Sequence, residues 1–344
     1  MIKRYLVTIG VTVVCLVAGS AFLGYEGGAL KTEPAIRINE ELSKIKIFVC
    51  YHKPFDMLSD RSTFIPIHAG RALGTGSPFH VGDGLKVGLA KNVSISDDEY
   101  RWMLDNTTGD DAGDNISLQN RSYCELTAVY WLWKNYAQLD ELDYIGFMHY
   151  RRHFIFKTNY HLTIFERIRR LFSKSRSFVR VASMDSGYEE KFGLDAPTVR
   201  KAIAGYDVVV PAPQNLLTTV YTNFKLNQKI EYLDTALEVL REKYPQYTDV
   251  AQTCMRSSSA HWGNMFVMRP AAFKEYCDFV FSIMQETEKR ISGVMDHSSL
   301  KSAHAAYIIE RMWIIWIAYQ KKIGKYKVLE LPRTWIAKSY GLFP

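Results

Sequence analysis

The sequence predicts an α/β fold built on a mostly parallel central sheet. Three observations point there. Short apolar runs at Ile45–Tyr51, Tyr144–Met148 and Tyr206–Pro213 have the length and composition of buried strands. Longer stretches, above all Asn120–Tyr136, Pro270–Arg290 and Ala303–Tyr319, read as helices. The first two strands end in dense polar sets, His52-Lys53-Pro54 and His149-Tyr150-Arg151-Arg152. Open α/β sheets gather ligand-binding groups at such strand ends.

With 344 residues, the chain has room for one large α/β domain or two small ones. A slightly negative mean hydropathy excludes a polytopic membrane protein. The net charge of +7 suits anionic partners such as phosphates, nucleotides or membrane surfaces, without choosing among them. Zinc-finger spacings and nucleic-acid motifs are absent from the sequence, so no nucleic-acid partner is expected. The five cysteines follow no framework spacing and read as buried thiols.

Taken in order, Lys3-Arg4 precedes an uncharged run from Tyr5 to Tyr25. Such a run spans ~30 Å as a helix. Positive charge before it and Glu26 after it predict a signal-anchor over residues 1–25, with the remainder across the membrane. That is a single-pass type II topology, facing the ER or Golgi lumen in a eukaryote. A cleavable signal peptide ending at Gly19-Ser20-Ala21 is the alternative. The anchor is preferred because the apolar run continues through Phe22-Leu23. Residues 26–43 read as a polar stem, and residues 44–344 as the folded domain.

Ile45–Tyr51 is the first strand. Ile65–Gly70 follows, and Gly70–Gly88 is glycine-rich and reads as a loop. Asp105–Phe154 carries the most information: an acidic, glycine-rich loop, an apolar helix and a strand. Asn120 is a fitting N-cap, and Glu125 falls near the first turn, where a carboxylate suits the helix dipole. Leu126, Val129, Tyr130 and Trp133 recur at helical steps and predict the buried face. His153–Arg180 is basic, with Phe165, Ile168 and Phe172 on one face. It is either a solvated basic face or a surface for anionic headgroups or a phosphorylated acceptor. Further on, Phe224–Lys243 reads as helical, His261–Met268 as a strand carrying Asn264, and Tyr326–Leu331 as a terminal strand. Asn92, Asn106, Asn115 and Asn120 head Asn-x-Ser/Thr sequons. Asn115 and Asn120 are expected to be folded in and unmodified.

The run GDNIS, then N-x-x-Y-C-E-L-T-A-x-Y-W-x-W-K-N, then YIGFMHYRR resembles a domain-of-unknown-function family of capsular and exopolysaccharide glycosyltransferases. That family includes bacterial transferases using UDP-galactofuranose. The resemblance spans roughly Ile45 to Tyr319. It implies a GT-A-like nucleotide-sugar fold, a UDP-sugar donor, and a glycan or glycolipid acceptor. Asn264 and the Glu310-Arg311 pair match the family. Phe224, Gln228 and Tyr232 stand where the family tends to have Tyr, His and Asp, and Ala303 and Ala306 where it has Arg and Gly. These departures imply a different acceptor, or a membrane-tethered carbohydrate-binding protein without catalysis.

Glycosyl transfer makes two demands: the leaving diphosphate gains charge, and the acceptor hydroxyl loses a proton. Where many GT-A enzymes hold a metal through Asp-x-Asp, this strand ends in His149-Tyr150-Arg151-Arg152. Arginines bind phosphate and stay charged at any working pH. They are preferred over a structural ion-pair cluster, because packing seldom needs two arginines there. Donor-binding candidates are therefore His52, His68, Asn115, His149, Tyr150, Arg151, Arg152, Asn264 and Arg311. Asp114, Glu125 and Glu310 are the catalytic candidates, with Asp110, Asp111 and His149 also within the class of possible bases. The acidic loop offers an alternative site for Mn²⁺ or Mg²⁺, although a cation is not expected to be required. A single displacement with inversion is expected, since no paired nucleophile and acid is evident.

Overall fold

The computed structural model describes residues 44–74, 79–81, 85–87, 96–158, 177–292 and 303–337. The run Tyr5–Tyr25, the stem, the sequon at Asn92 and most of the basic segment lie outside the described residues. Among the described residues, no helix is long and apolar enough to cross a membrane.

Seven strands form the central sheet: β1 (Ile45–Tyr51), β2 (Phe64–His68), β3 (Thr108–Gly109), β4 (Tyr144–His149), β5 (Val208–Pro211), β6 (Phe266–Met268) and β7 (Val328–Leu331). Their spatial order is β7-β5-β6-β4-β1-β2-β3. All neighbours pair in parallel except β6, which runs antiparallel to both β4 and β5. The mostly parallel α/β expectation is met.

Alternation along each strand sends side chains to two cores. Phe48, Cys50, Ile145 and Phe147 enter one, and Ile47, Val49, Tyr144 and Met148 the other. Gly146 sits at the middle of β4. A Cβ there would stand 2.8 Å from Ile47 Cγ1 and 3.0 Å from Val267 Cγ2, so the neighbouring strands close over bare backbone. The first core is roofed by α1 (Leu126–Asn135), α2 (Val220–Asn227), α3 (Ile230–Lys243), α4 (Thr248–Arg256), α5 (Pro270–Ile291) and α6 (His304–Ile323). Trp313 and Trp316 of α6 are fully buried and stack at 5.9 Å. α5 starts with Pro270 in its first turn, and α6 ends on Gly324 in the left-handed conformation, the usual terminal chemistry. Beneath the second core, Phe178–Val181 pairs in parallel with Arg333–Ile336.

Several expected elements differ. The continuous helix over Asn120–Tyr136 is broken. A short helix, Asn120–Tyr123, stops at Cys124 (φ 49°, ψ −129°), and α1 begins at Leu126. Asn120 is not the N-cap. Its amide donates to Cys124 O (2.6 Å) and Thr127 Oγ1 (3.1 Å), plugging the break with a side chain. Leu126 and Val129 are fully buried, but Tyr130 and Trp133 are only half-buried. Trp133 lies flat on Phe281 at 5.6 Å, with the Lys134 ammonium 3.4 Å from its ring centroid. Phe224–Lys243 divides into α2 and α3 at Gln228-Lys229. Within His261–Met268 only Phe266–Met268 is strand, because Gly263 and Asn264 take positive φ.

Candidate active site

The carboxyl ends of β1, β2, β3, β4, β5 and β7 and the amino end of β6 meet along one edge of the sheet. Its centre is the Gly263 peptide, just before β6. The Gly263 carbonyl accepts from His149 Nε2 at 2.6 Å, and its N–H donates to Glu310 Oε1 at 2.9 Å. Gly263 has φ +107°, a conformation side chains avoid, so glycine is what lets the two peptide groups of one residue tether both side chains. A carbonyl can only accept, so His149 carries its proton on Nε2. Burial, with the Arg152 charge adding to it, lowers the His149 pKa to about 3 and keeps the ring neutral.

Glu125 comes from the break before α1. Asn264 Nδ2 donates to its Oε1 at 2.8 Å, while Asn264 Oδ1 is buried without a partner. Among the described residues, the two with positive φ that are not glycine, Cys124 and Asn264, thus flank the contact that joins loop to loop. Outlying backbone of this kind concentrates where function fixes geometry. Burial raises the Glu125 pKa above the ordinary carboxylate value, opposed by the Asn264 hydrogen bond and the Arg152 charge. Glu310 is raised too: burial and the Glu125 charge outweigh Arg311 and the Gly263 N–H. The Glu310 side chain still keeps 20% of its surface exposed, and Glu125 is likewise partly open. Both carboxylates are thus densely surrounded yet partly open, and the edge they stand on is here termed the cleft.

Arg311 is the anchor of Glu310 rather than a group facing the cleft. Its side chain is fully enclosed, donates to Glu310 Oε2 (2.9 Å) and Asn223 Oδ1 (2.6 Å), and lies among the rings of Phe224, Trp262 and Tyr307. Phe224 therefore shapes this wall.

The strand-end set separates. The tight turn His149–Arg152 is closed by Arg152 N donating to His149 O at 2.9 Å. Arg151 turns back over the Tyr150 ring, 5.3 Å from its centroid. Arg152 lies over Trp335 at 4.3 Å and within the field of Glu125 and Glu310. Tyr150 is buried, with its hydroxyl 3.4 Å from His52 Nε2 at the tip of β1.

Asp114, His68 and Asn115 belong to a different neighbourhood, around β2 and β3. His68 is buried against Tyr100. Asp114 is exposed; its carboxylate accepts from Tyr130 Oη, and its backbone is clasped by Asn135. Asn115 bridges Asp111 O, Gly113 O and Ser117 N, and Asn120 plugs the helix break, so both sequon amides are engaged as expected. Among the described residues, no group of three or more His, Cys, Asp or Glu is placed to hold a metal. Asp110 and Asp111 are engaged with Gly70, Arg71 and Ser117.

Sequence reading missed one residue of this edge, Arg333. The only signal was an arginine just after the strand-like run VLELP, the same pattern that marks the end of β4.

A search of curated proteins finds no match. Among solved structures, the chain is similar to the apo structure of the bifunctional glycosyltransferase WbbM, at 29% identity and a TM-score of 0.67. The alignment covers 88% of this chain and 47% of that one, so this chain matches about half of its neighbour's length. Residues 46–322 match the family described as Domain of unknown function (DUF4422). With most of its length matched, from β1 to the end of α6, the chain belongs to that family.

Proposed function

We propose that the chain is a glycosyltransferase that moves a hexosyl group from a nucleotide-sugar donor to a glycan or glycolipid acceptor. The observation that carries this reading is Glu125, a carboxylate with a burial-raised pKa at the carboxyl edge of the sheet. Asn264 holds one of its oxygens, and the cleft leaves it open to solvent. A base tuned upward toward working pH is what deprotonating a hydroxyl calls for. Similarity to a structure named a bifunctional glycosyltransferase supports the same class.

In this reading the acceptor oxygen attacks the anomeric carbon as its proton passes to Glu125. The bond to the diphosphate breaks, and the nucleoside diphosphate departs with the electron pair. Glu310, pinned by Arg311 and Gly263, keeps the cleft floor rigid and negative beside the developing positive charge on the sugar. His149, neutral and fixed, orients the Gly263 peptide. The displacement inverts the anomeric centre. The motif resemblance favours UDP-galactofuranose as donor, and Phe224 against Arg311 favours an acceptor unlike that of relatives with tyrosine there. The apolar run Tyr5–Tyr25 tethers the domain across a membrane, and protease protection in sealed microsomes tests that topology.

The experiment for the activity is UDP release from a panel of UDP-sugars, followed by mass spectrometry of the acceptor. Release with none of them, over a range of acceptors, overturns the reading in favour of a binding protein. The same assay with EDTA, then with added Mn²⁺, decides whether a cation takes part.

A further inference from the structure

Arg333 is the most unusual polar side chain in the molecule. It is 2% exposed, yet Nε and Nη1 of its guanidinium have no hydrogen-bond partner among the described residues. Its one bond runs from Nη2 to Gln214 Oε1, at 3.1 Å. Buried guanidinium donors are normally paired, so two open nitrogens call for a ligand. A second guanidinium makes the case stronger. Arg152 approaches from the end of β4, and the two charges repel; burial first, then Arg152, pulls the Arg333 pKa down to about 10.

The Arg333 guanidinium is enclosed and held through Nη2 by Gln214, and its backbone is held on several sides. Arg333 N donates to Ser177 O at 3.0 Å, Phe154 and Arg333 form an isolated bridge, and Thr334 N donates to His153 O at 2.8 Å. Behind it, Tyr188 Oη bonds both His153 Nδ1 (2.9 Å) and Thr334 Oγ1 (2.7 Å). Arg152 is held over Trp335, two residues beyond Arg333. Two positively charged groups are therefore fixed side by side at the cleft, with donors left over. Arg152 lies in the field of Glu125 and Glu310, and Arg333 in that of Glu310, with no ion pair to either carboxylate among the described residues. Such a pre-set pair is matched by a dianion or trianion with several acceptor oxygens.

We propose that Arg333 and Arg152 hold the diphosphate of the nucleotide-sugar donor, a reading that rests on the glycosyl-transfer assignment above. Arg333 lies beyond the family match, which ends at residue 322. Arg151, the expected partner of Arg152, instead packs on Tyr150 and uses its carbonyl to accept from Ile336 N, holding the strand that carries Arg333.

Calorimetric titration of the full chain tests this with three probes: UDP, uridine and inorganic pyrophosphate. Arg333→Met should weaken UDP and pyrophosphate by about 10- to 100-fold and leave uridine unchanged. Arg333→Lys should recover part of the loss, since an ammonium keeps the charge without the planar donors. The melting temperature separates a ligand site from a structural role. Removing a buried, unpaired charge should leave ligand-free Arg333→Met at least as stable as the wild type, whereas a structural arginine would lower it. If the methionine variant fails to fold, the lysine variant must still lose several-fold in UDP affinity. Wild-type affinity for UDP in either variant overturns the proposal, as does equal loss of uridine binding. Pyrophosphate binding that depends on Arg333, without turnover of any UDP-sugar, would sink the transferase reading and leave the anion site. Normal KM for a UDP-sugar in Arg333→Met would do the reverse.

Discussion

The edge of the sheet has two halves, and they handle polar groups in opposite ways. Around β2 and β3 the carboxylates are satisfied by their neighbours, and among the described residues only His68 Nδ1 is left buried without a partner there. Asp110 accepts from Gly70 N (2.8 Å), Arg71 N (3.1 Å) and Ser117 Oγ (2.5 Å), and Asp111 pairs with Arg71. Gly70 has φ +73°, and a Cβ there would stand 2.4 Å from Asn120 Cγ, so even the backbone is committed. Around β4, β6 and Arg333 the groups are left waiting. Glu125 has one side-chain donor, Asn264 Oδ1 and two Arg333 nitrogens have none, and like charges stand together. A buried polar cluster that closes on itself stabilises the fold; one that stays open is completed by a ligand.

The contrast yields predictions of graded size. Glu125→Gln should lower kcat by about 10²- to 10⁴-fold, with the melting temperature unchanged or raised, as for loss of a buried base. Melting far below wild type would place Glu125 with the satisfied half instead. Asp110→Ala should do the opposite: about 3 kcal/mol of stability lost in a denaturant titration, because three donors are orphaned together, with kcat per folded molecule retained. A pH effect comes next. Burial raises the folded-state values of Glu125 and Glu310 above the unfolded carboxylate value of about 4.3. The folded protein therefore holds protons that the unfolded chain has released, and stability should fall as pH rises from about 4.3 through those raised values. Melting curves across that window should slope downward in the wild type and less so in Glu125→Gln. An unchanged slope would remove Glu125 as its source. The smallest effect belongs to Asp114→Asn. The exposed carboxylate should cost under about 0.5 kcal/mol on replacement and leave turnover within about threefold. A collapse in turnover comparable to that of Glu125→Gln would join the two halves into one site.

Much of this was legible in the chain. Mostly apolar runs mark β1, β4 and β5, interrupted in β1 by Lys46 alone, because burial on both faces leaves little room for polar alternation. Arg152, Glu125, Asn264 and Glu310, picked from four separate stretches, lie close to one another in the structure. The acidic loop drew attention through its composition, yet whether a carboxylate is consumed by neighbouring N–H groups is a tertiary fact that composition does not carry. The break at Cys124 was hidden because the helical period runs straight through it; only the Asn120 amide shows where the chain turns. Arg333 was hidden for a different reason. One arginine after a short strand-like run is a faint signal, and its meaning comes from Arg152, far away in sequence.

That distance has a consequence for how the protein acquires its site. The hydrogen bond from His153 N to Thr334 Oγ1 joins residues 181 apart. Contacts that span so much chain form after local ones, since loop closure must precede any return from the contact. During synthesis the helices over the first core can gather before the last strands are made, whereas β7 and Arg333–Ile336 arrive at the end. A nascent or truncated chain lacking them would keep Glu125 and Glu310 without the second guanidinium. Competence to bind the donor should then be the last property to appear on the folding path, and a refolding trace followed by UDP binding should lag one followed by tryptophan fluorescence.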